Sequence, residues 1–344
     1  MKKIISVSLC VIMLISVLAV GAFALSMRDG TEALDASFLD GDFSNGFDYV
    51  YYSPKKGDND TTKYPIMVWL HGMQSGKEPR AQLKWYEFSN WASEEYQARF
   101  AETNGCYLLA VRASDSLINS WDGGQCPMLK ATIEHFISQN EANINRDRIY
   151  IGGYSTGGVM VWDMISQYPG YFAAAVPISA VYQPTEEELS RLGNTAVWIF
   201  SSDNDPYQLA ESSDVEPVYA YLKNHTNKPE SVRWTRVSDQ RFADGSKRYN
   251  LNTGVTMWDA EHFIWESVTY DMHMMDGVTP FIYTTTIDAA GNTITFENPD
   301  NGVISWISQQ IRGEKTNNEF SNFFTRIADF FRKIFDFFKN LFKR

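Results

Sequence analysis

Cysteine and histidine are both scarce in this chain of 344 residues, which contains three Cys and five His. No CxxC or HExxH pattern occurs, and neither Cys106 nor Cys126 stands within a metal-ligand cluster. We therefore expect neither a metal nor another cofactor. In an exported chain Cys106 and Cys126 form either a disulfide or two buried thiols, and the sequence leaves both alternatives open.

Basic residues are also in short supply, with 30 Lys and Arg against 42 Asp and Glu and a net charge of −12. The body of the chain has no basic patch, which argues against nucleic acid as a partner because phosphate binding needs clustered Lys and Arg. Hydrophobic residues make up 44% of the chain and charged residues 21%, as in ordinary globular proteins. The length is enough for one large α/β domain.

A long apolar run occurs at the amino terminus, over residues 4–20, after Lys2 and Lys3. It ends at Ala-Phe-Ala, residues 22–24, a small-x-small cleavage pattern. The run is short for a transmembrane anchor, which is the alternative. We predict a signal peptide over residues 1–24 and secretion of the mature protein.

The other end of the chain, residues 313–344, is predicted to be a linker followed by an amphipathic helix. On a helical wheel the apolar residues of 320–344, mostly Phe, fall in one arc of roughly 160°. Six basic and two acidic residues occupy the rest. This pattern is typical of a helix lying in a membrane interface, at the outer face of the cell membrane. A helix docked on its own domain or paired with a second tail is the alternative.

Between these ends, residues 25–312 alternate apolar strand patterns with helical ones. The predicted strands are 47–53, 66–70, 107–111, 148–151, 173–178, 196–200 and 232–237, and the predicted helices are 85–100, 129–137 and 159–165. Alternating strands and helices imply βαβ crossovers and a mostly parallel, doubly wound sheet with helices on both faces.

The sequence Gly-Tyr-Ser-Thr-Gly at residues 153–157 matches the G-x-S-x-G pattern of a nucleophile elbow. An apolar strand precedes it and an apolar-periodic helix follows it. The serine of such an elbow sits in a strained tight turn where larger side chains two residues away would collide. We therefore predict that Ser155 is a nucleophile at the carboxyl end of the sheet.

A serine hydroxyl needs a base, and His262 is the predicted one. In α/β-hydrolases the base follows the nucleophile and the acid in the chain, which leaves His225, His262 and His273. His225 ends a helix before the last core strand. His262 follows that strand and enters an aromatic helix. His273, in a Met-rich stretch, is the remaining alternative.

The acid is expected just after the strand 196–200, where Asp203 and Asp205 both stand. It must point back to the histidine and fix its tautomer. We predict Asp205, and we interpret Asp203 as a turn residue that bonds its own backbone.

Two backbone N–H groups should form the oxyanion hole. One belongs to Thr156, directly after the nucleophile, and the other to Met73, in the loop after the third strand. Gly72 would let that backbone approach closely, and His71 would support the loop.

These residues resemble those of the secreted esterases grouped with poly(3-hydroxybutyrate) depolymerases, feruloyl esterases and acetyl xylan esterases, and of single-domain members of the prolyl-oligopeptidase superfamily. The similar pieces are YPIMVWLHG at 64–72, NRDRIYIGGYSTGG at 145–158, His262 with Trp265, and SWISQ at 305–309. The resemblance covers roughly residues 45–310 and implies an α/β-hydrolase fold.

Two features depart from this resemblance. Ser201-Ser202 replaces the usual His-Gly before the acid, and the stretch 271–301 is longer than the family's usual interval between the catalytic histidine and the closing helix. We interpret that stretch as a β-hairpin insertion of strands 281–287 and 293–296, either near the active site or on the surface.

About seventeen residues separate the strands ending at Ile178 and starting at Ala196, which leaves no room for a large cap domain. An open cleft suits a bulky or polymeric ester. Trp121 is expected either to line the pocket or to anchor its loop, and Tyr154 is assigned to the substrate.

The function expected from these residues is a serine esterase acting on polysaccharide-linked acyl groups or on polyester. A serine peptidase is the first alternative, although no propeller domain and no evident acidic amine-binding pair occur. The second is a non-catalytic surface-binding protein, against which the intact Ser-Asp-His set argues.

Overall fold

The computed structural model describes residues 38–57, 60–73, 88–113, 120–202, 205–207, 214–226, 229–240, 262, 264–269, 271, 277–283 and 302–313. Contacts divide the chain into two compact units, Met1–Arg312 and Gly313–Arg344. The predicted signal peptide and the predicted amphipathic helix lie outside the described residues, and both stay predictions.

Nine strands within the described residues form one sheet. They are β1 Leu39–Gly41, β2 Tyr49–Tyr52, β3 Tyr64–Leu70, β4 Tyr107–Val111, β5 Ile144–Tyr154, β6 Ala174–Ile178, β7 Ala196–Ser202, β8 Val232–Gln240 and β9 Gly277–Tyr283. Their order in the sheet is β1-β2-β4-β3-β5-β6-β7-β8-β9. The pairs β1–β2 and β2–β4 are antiparallel, whereas the pairs from β4 to β9 are parallel. This confirms the predicted mostly parallel sheet of an α/β-hydrolase.

Helices cover both faces of the sheet. Those within the described residues are α1 Glu94–Ala98, α2 Cys126–Gln139, α3 Thr156–Gln167, α4 Glu186–Leu189, α5 Val215–His225, α6 Trp265–Thr269 and α7 Val303–Ser308. Three short 3-10 turns accompany them, at Phe88–Ala92, Gly123–Gln125 and Pro229–Ser231.

The core consists of two clusters, one on each face. Alternate residues of β3 point to opposite sides: Ile66 and Val68 join the first cluster, with α2, α3 and α5, and Met67 and Trp69 join the second, with α1, α6 and α7. All seven residues of β3 are buried. A strand covered on both faces has no polar side, which is why its sequence is an unbroken apolar run.

The predicted strands and helices are mostly present, with shifted ends. The strand leading to Ser155 begins at Ile144, four residues before the predicted start. Where a hairpin strand was predicted over 281–287, β9 begins at Gly277 and pairs in parallel with β8. Residues 281–283 therefore belong to the main sheet, and the remainder of the predicted hairpin lies outside the described residues.

Cys106 and Cys126 are free and buried. Cys106 lies in the second core cluster and Cys126 in the first, so the sheet stands between them. The structure thus favours two buried thiols over a disulfide.

The connection between β6 and β7 is short and is described in full. It contains one helical turn, α4, whose amino end Thr185 and Glu188 close with a capping box. The large cap domain that the sequence excludes at this position is indeed not there. Among the described residues, no helix is long and apolar enough to cross a membrane.

Candidate active site

The nucleophile stands where β5 ends and α3 begins. Ser155 has φ 56° and ψ −121°, a left-handed conformation that is rare for residues other than glycine. Its backbone N–H donates to the carbonyl of Ile178 at the end of β6, at 2.9 Å. The turn is therefore fixed by the neighbouring parallel strand, and the hydroxyl group is presented at the carboxyl edge of the sheet.

Glycines make this turn possible because larger residues would collide. A Cβ at Gly153 would lie 2.7 Å from the carbonyl oxygen of Gly157, and a Cβ at Gly157 would press on the carbonyl oxygens of Leu70 and His71. Both positions thus require glycine for a close approach of backbone to backbone. This is the steric reason for the G-x-S-x-G pattern in this chain.

The structure brings His262 to the serine. Its Nε2 lies 3.0 Å from Ser155 Oγ, and its Nδ1 lies 2.6 Å from Asp205 Oδ2. In the tautomer that satisfies both contacts, Nδ1–H donates to the carboxylate and Nε2 accepts from the serine hydroxyl. That is the arrangement in which a histidine acts as a general base.

Asp205 is buried in the loop that follows β7, at 2% exposure. Its second oxygen, Oδ1, accepts a hydrogen bond from the backbone N–H of Tyr207 at 2.9 Å. Each carboxylate oxygen therefore has a donor, as a buried charge requires. Asp203, the alternative acid, lies outside the described residues.

The other histidines are placed elsewhere. His225 ends α5, and its Nδ1 contacts the carbonyl of Tyr221 at 2.8 Å. His135 lies within α2 and stacks on Phe43, with ring centroids 4.4 Å apart. Both therefore have structural contacts that account for their positions. His273 lies outside the described residues.

The loop after β3 lies against the elbow at Gly72. A Cβ at Gly72 would lie 3.0 Å from Ser155 Cβ and 2.8 Å from the ring of Tyr154. The backbone N–H of Met73 follows directly, and its side chain is half exposed. Thr156, the first residue of α3, has a backbone N–H without an acceptor inside the helix. Gly72 thus approaches Ser155 closely, and the assignment of the Met73 and Thr156 N–H groups to the oxyanion hole stays a prediction.

His71 supports this loop from beneath. Its Nε2 accepts a hydrogen bond from the backbone N–H of Ala113 at 2.9 Å, and its Nδ1 donates to the carbonyl of Gly72 at 2.6 Å. Burial lowers the pKa of His71 to about 4, so the ring is neutral at physiological pH. His71 is a fixed part of the scaffold, in agreement with its predicted role.

Two residues assigned to the substrate from the sequence are core residues instead. Tyr154 is 1% exposed and stacks on Trp265 at 4.4 Å. Trp121 is 7% exposed, and its Nε1–H donates to the carbonyl of His71 at 2.9 Å. Tyr154 is therefore a packing residue and not a substrate contact, because side chains alternate along β5 and its ring lies in the second core cluster. Trp121 is the loop anchor that the sequence left as an alternative.

Two aromatic contacts of the base were missed at the sequence level. The ring of Tyr207 lies 4.6 Å from that of His262, and Tyr207 is 47% exposed. Trp265 approaches His262 edge-on, at 5.3 Å. The nearest sequence signal is their spacing, with Tyr207 two residues after the acid and Trp265 three residues after the base.

Nucleophile, base and acid thus form a hydrogen-bonded series at the carboxyl edge of a mostly parallel sheet, in the chain order Ser, Asp, His. Among the described residues, no group of three or more His, Cys, Asp or Glu side chains is placed to hold a metal ion. The fold and the site together define the class of α/β-hydrolases with a serine nucleophile.

Comparison with known proteins agrees with this class: the prolyl oligopeptidase family matches residues 115–231, which is less than half of the chain. That span includes Ser155 and Asp205 and ends before His262. No curated protein sequence matches the chain.

Solved structures with a similar fold include a thermostable esterase, 25% identical, with a TM-score of 0.51. The match covers 69% of this chain and 61% of that esterase, so the chain spans less than two thirds of its length. The chain is also similar to a feruloyl esterase module from Clostridium thermocellum, at 13% identity and TM-score 0.45, covering 71% of this chain and 90% of that one. An acylaminoacyl peptidase from Pyrococcus horikoshii is similar at 15% identity and TM-score 0.42, covering 66% and 39%.

Proposed function

We propose that this protein is a serine esterase that cleaves carboxylic esters through an acyl-enzyme intermediate. The observation that carries the proposal is the contact of His262 Nε2 with Ser155 Oγ at 3.0 Å, on a histidine whose other nitrogen is bonded to Asp205. The similarity to a thermostable esterase supports ester hydrolysis in particular.

The reaction follows from this geometry. Ser155 Oγ attacks the ester carbonyl while His262 Nε2 takes its proton, and Asp205 stabilises the resulting imidazolium. The backbone N–H groups of Met73 and Thr156 donate to the oxyanion. The imidazolium then protonates the leaving alcohol, and a water molecule activated by the same histidine hydrolyses the acyl-serine.

The substrate proposed is a polymer-linked ester, either an acyl group on a polysaccharide or a polyester. Two observations support an open, aromatic binding edge. The connection between β6 and β7 contains only the single turn α4. Tyr182, in that connection, and Tyr207, beside the base, are 60% and 47% exposed. Exposed tyrosines suit the flat faces of sugars and aromatic acyl groups.

A panel of esters tests this proposal. We expect turnover of p-nitrophenyl acetate and butyrate, together with release of acid from methyl ferulate or acetylated xylan. Each activity should vanish in Ser155→Ala. Activity toward a peptide amide with none toward any ester would instead favour a serine peptidase, the second candidate, to which the prolyl oligopeptidase match points.

We further propose that the mature protein is exported and held at an anionic membrane surface by residues 320–344. The support is in the sequence. At the amino terminus, Lys2 and Lys3 precede an apolar run, as in a signal peptide. In the tail, a Phe-rich face lies opposite a polar face whose net charge is +4. Apolar burial of the Phe side chains and attraction of the basic residues to anionic lipids would act together.

Export is tested by amino-terminal sequencing of the secreted protein, which should begin at Leu25. For the tail, the mature chain should co-sediment with anionic phosphatidylserine vesicles. A chain ending at Lys315 should stay in solution with an unchanged kcat on p-nitrophenyl acetate. Equal vesicle binding with and without the tail would refute the membrane role.

A further inference from the structure

The catalytic base, His262, belongs to a segment outside the central sheet. This segment runs from His262 through α6 to Asp271. Ile264, Trp265 and Val268 are buried in the second core cluster. The position of His262 therefore depends on how the two ends of this segment are anchored.

The far end of the segment is fixed by a buried carboxylate. The side chain of Asp271 has no exposed surface, and its Oδ2 accepts a hydrogen bond from Arg99 Nη1 at 2.9 Å. Its Oδ1 accepts one from the backbone N–H of Ile304 at 2.7 Å. A buried charge needs partners of this kind, and both oxygens of Asp271 have one.

These partners belong to elements far apart in the sequence. Arg99 caps the carboxyl end of α1, and Ile304 lies in the first turn of α7. A Cβ at Gly302 would lie 2.5 Å from Asp271 Oδ1, so glycine at this position leaves the space that the carboxylate fills. One carboxylate thus joins α1, the α6 segment and α7.

The backbone of Asp271 is also specialised. It has φ 50°, a left-handed conformation uncommon for aspartate, and its N–H donates to the carbonyl of Val268 at 2.9 Å. The neighbouring carbonyl of Thr269 accepts from Trp91 Nε1 at 3.0 Å. Such a conformation persists where surrounding contacts enforce it, and strained backbone of this kind concentrates near functional sites.

We propose that Asp271, through its bonds to Arg99 and Ile304, is a positioning residue that holds His262 in reach of Ser155. The proposal rests on the proposed serine hydrolase activity. Asp271 contacts neither Ser155 nor Asp205. Both of those residues follow strands of the central sheet, so loss of the Asp271 contacts should displace the base alone.

At pH 8 the carboxylate of Asp271 is ionised, although burial raises its pKa to about 6 against the hydrogen bonds from Ile304 and Arg99. Measurements at pH 8 therefore examine the intact ion pair. The two suitable substitutions are Asp271→Asn, which keeps an acceptor for Ile304, and Arg99→Gln, which leaves the aspartate in place.

The test is a double-mutant cycle with His262→Ala, measured by kcat on p-nitrophenyl acetate and by the rate of fluorophosphonate labelling. In the wild-type background each substitution should lower kcat about tenfold, with KM within about twofold, because a small misplacement of a catalytic group slows chemistry more than binding. In the His262→Ala background the same substitutions should change the residual rate by less than about twofold. Arg99→Lys, which keeps the cation, should lie between Arg99→Gln and the wild type.

Asp147→Asn is the matched control. Asp147 also pairs with an arginine, Arg312, but on the surface and away from the triad. Asp147→Asn should leave kcat unchanged.

Equal losses for Asp271→Asn with and without His262 would overturn the proposal in favour of a general structural role. An unchanged kcat for Asp271→Asn would also overturn it. If Asp271→Asn does not fold, Arg99→Gln decides by the same criteria, since its guanidinium is one-fifth exposed. A wild type that reacts with neither reagent would refute the proposed activity itself, which is a different result.

Discussion

The elbow around Ser155 and the segment around His262 place two partners of one reaction by different means. Ser155 lies in a turn built mainly from residues close to it in sequence, namely the strand before it, the helix after it and Gly153 and Gly157, with one backbone hydrogen bond to Ile178 of the neighbouring strand. His262 is held by Asp205, 57 residues away, while the end of its segment is anchored by Trp91 and by the partners of Asp271. A local motif therefore specifies the nucleophile, whereas the base depends on the assembled fold.

This difference has a consequence for how each region fails. The strained turn of the elbow directly follows β5, a strand of the central sheet. The turn should therefore remain intact until the sheet itself unfolds. The base segment is anchored by a few side chains and one buried ion pair. Loss of one of these contacts should impair catalysis before it unfolds the protein.

The largest effect is expected at the elbow itself. Ser155→Ala should lower kcat by about four orders of magnitude or more, because the covalent intermediate no longer forms. The melting temperature should be unchanged, since alanine carries the same left-handed strain as serine. Fluorophosphonate labelling measures the loss directly, and labelling that persisted in Ser155→Ala would place the nucleophile elsewhere.

The second effect separates the two candidate acids. Asp205→Asn should lower kcat by about three to four orders of magnitude, because the neutral amide no longer stabilises the imidazolium of His262. Asp203→Asn, with the same change of charge two residues earlier, should lower it no more than a few-fold. Steady-state kinetics on one ester compares them, and a larger loss at Asp203 would reverse the assignment.

The third prediction concerns Trp265, which joins the two regions by stacking on Tyr154 and meeting His262 edge-on. Trp265→Leu should lower kcat about tenfold, because the base loses one of the surfaces that orient it. Trp162→Leu, a buried tryptophan of the first core cluster, is the matched control. Both variants should melt at a lower temperature, and only the first should lose kcat beyond about twofold. Equal losses of kcat would remove the distinction between the two regions.

The last prediction concerns pH and the elbow's supporting loop. Burial lowers the pKa of His71 to about 4 in the folded protein. In the unfolded chain the same side chain takes up a proton near pH 6.5, so protonation between these two pH values favours the unfolded state. The stability from neutral His71 is complete above pH 6.5 and is lost as pH falls toward 4, by about 3 kcal/mol. Urea unfolding across this range should show a smaller loss in His71→Gln, and an equal loss would contradict the role of His71.

The elbow was predictable from the sequence because its constraints are mostly local. Strand, glycines and helix are consecutive, and the steric limit at Gly153 acts against the backbone of Gly157, four residues on. The limit at Gly157, against the carbonyls of Leu70 and His71, comes instead from a distant strand. The mostly parallel sheet was also predictable, since apolar runs separated by helical patterns imply parallel crossovers. The ends of the strands were less predictable: β5 begins at Ile144, although residues 145–147 are polar.

Contacts across the fold were not predictable in the same way. Which face of β5 the ring of Tyr154 occupies depends on pairing register, and the sequence assigned it to the substrate. Asp271, Arg99 and Gly302 are scattered over some two hundred residues, and no spacing rule connects them. The same holds for Tyr207, whose ring lies 4.6 Å from that of His262 although the two residues are far apart in the sequence.

The two buried thiols have a practical consequence. Because Cys106 and Cys126 lie on opposite faces of the sheet, the domain needs no oxidant to reach its native state and is suited to production in a reducing cell. Each thiol also reports on its own face. Alkylation of Cys106 marks exposure of the layer that carries α6 and α7, and alkylation of Cys126 marks exposure of the layer behind the nucleophile helix. The relative rates of the two reactions would reveal which side of the molecule opens first.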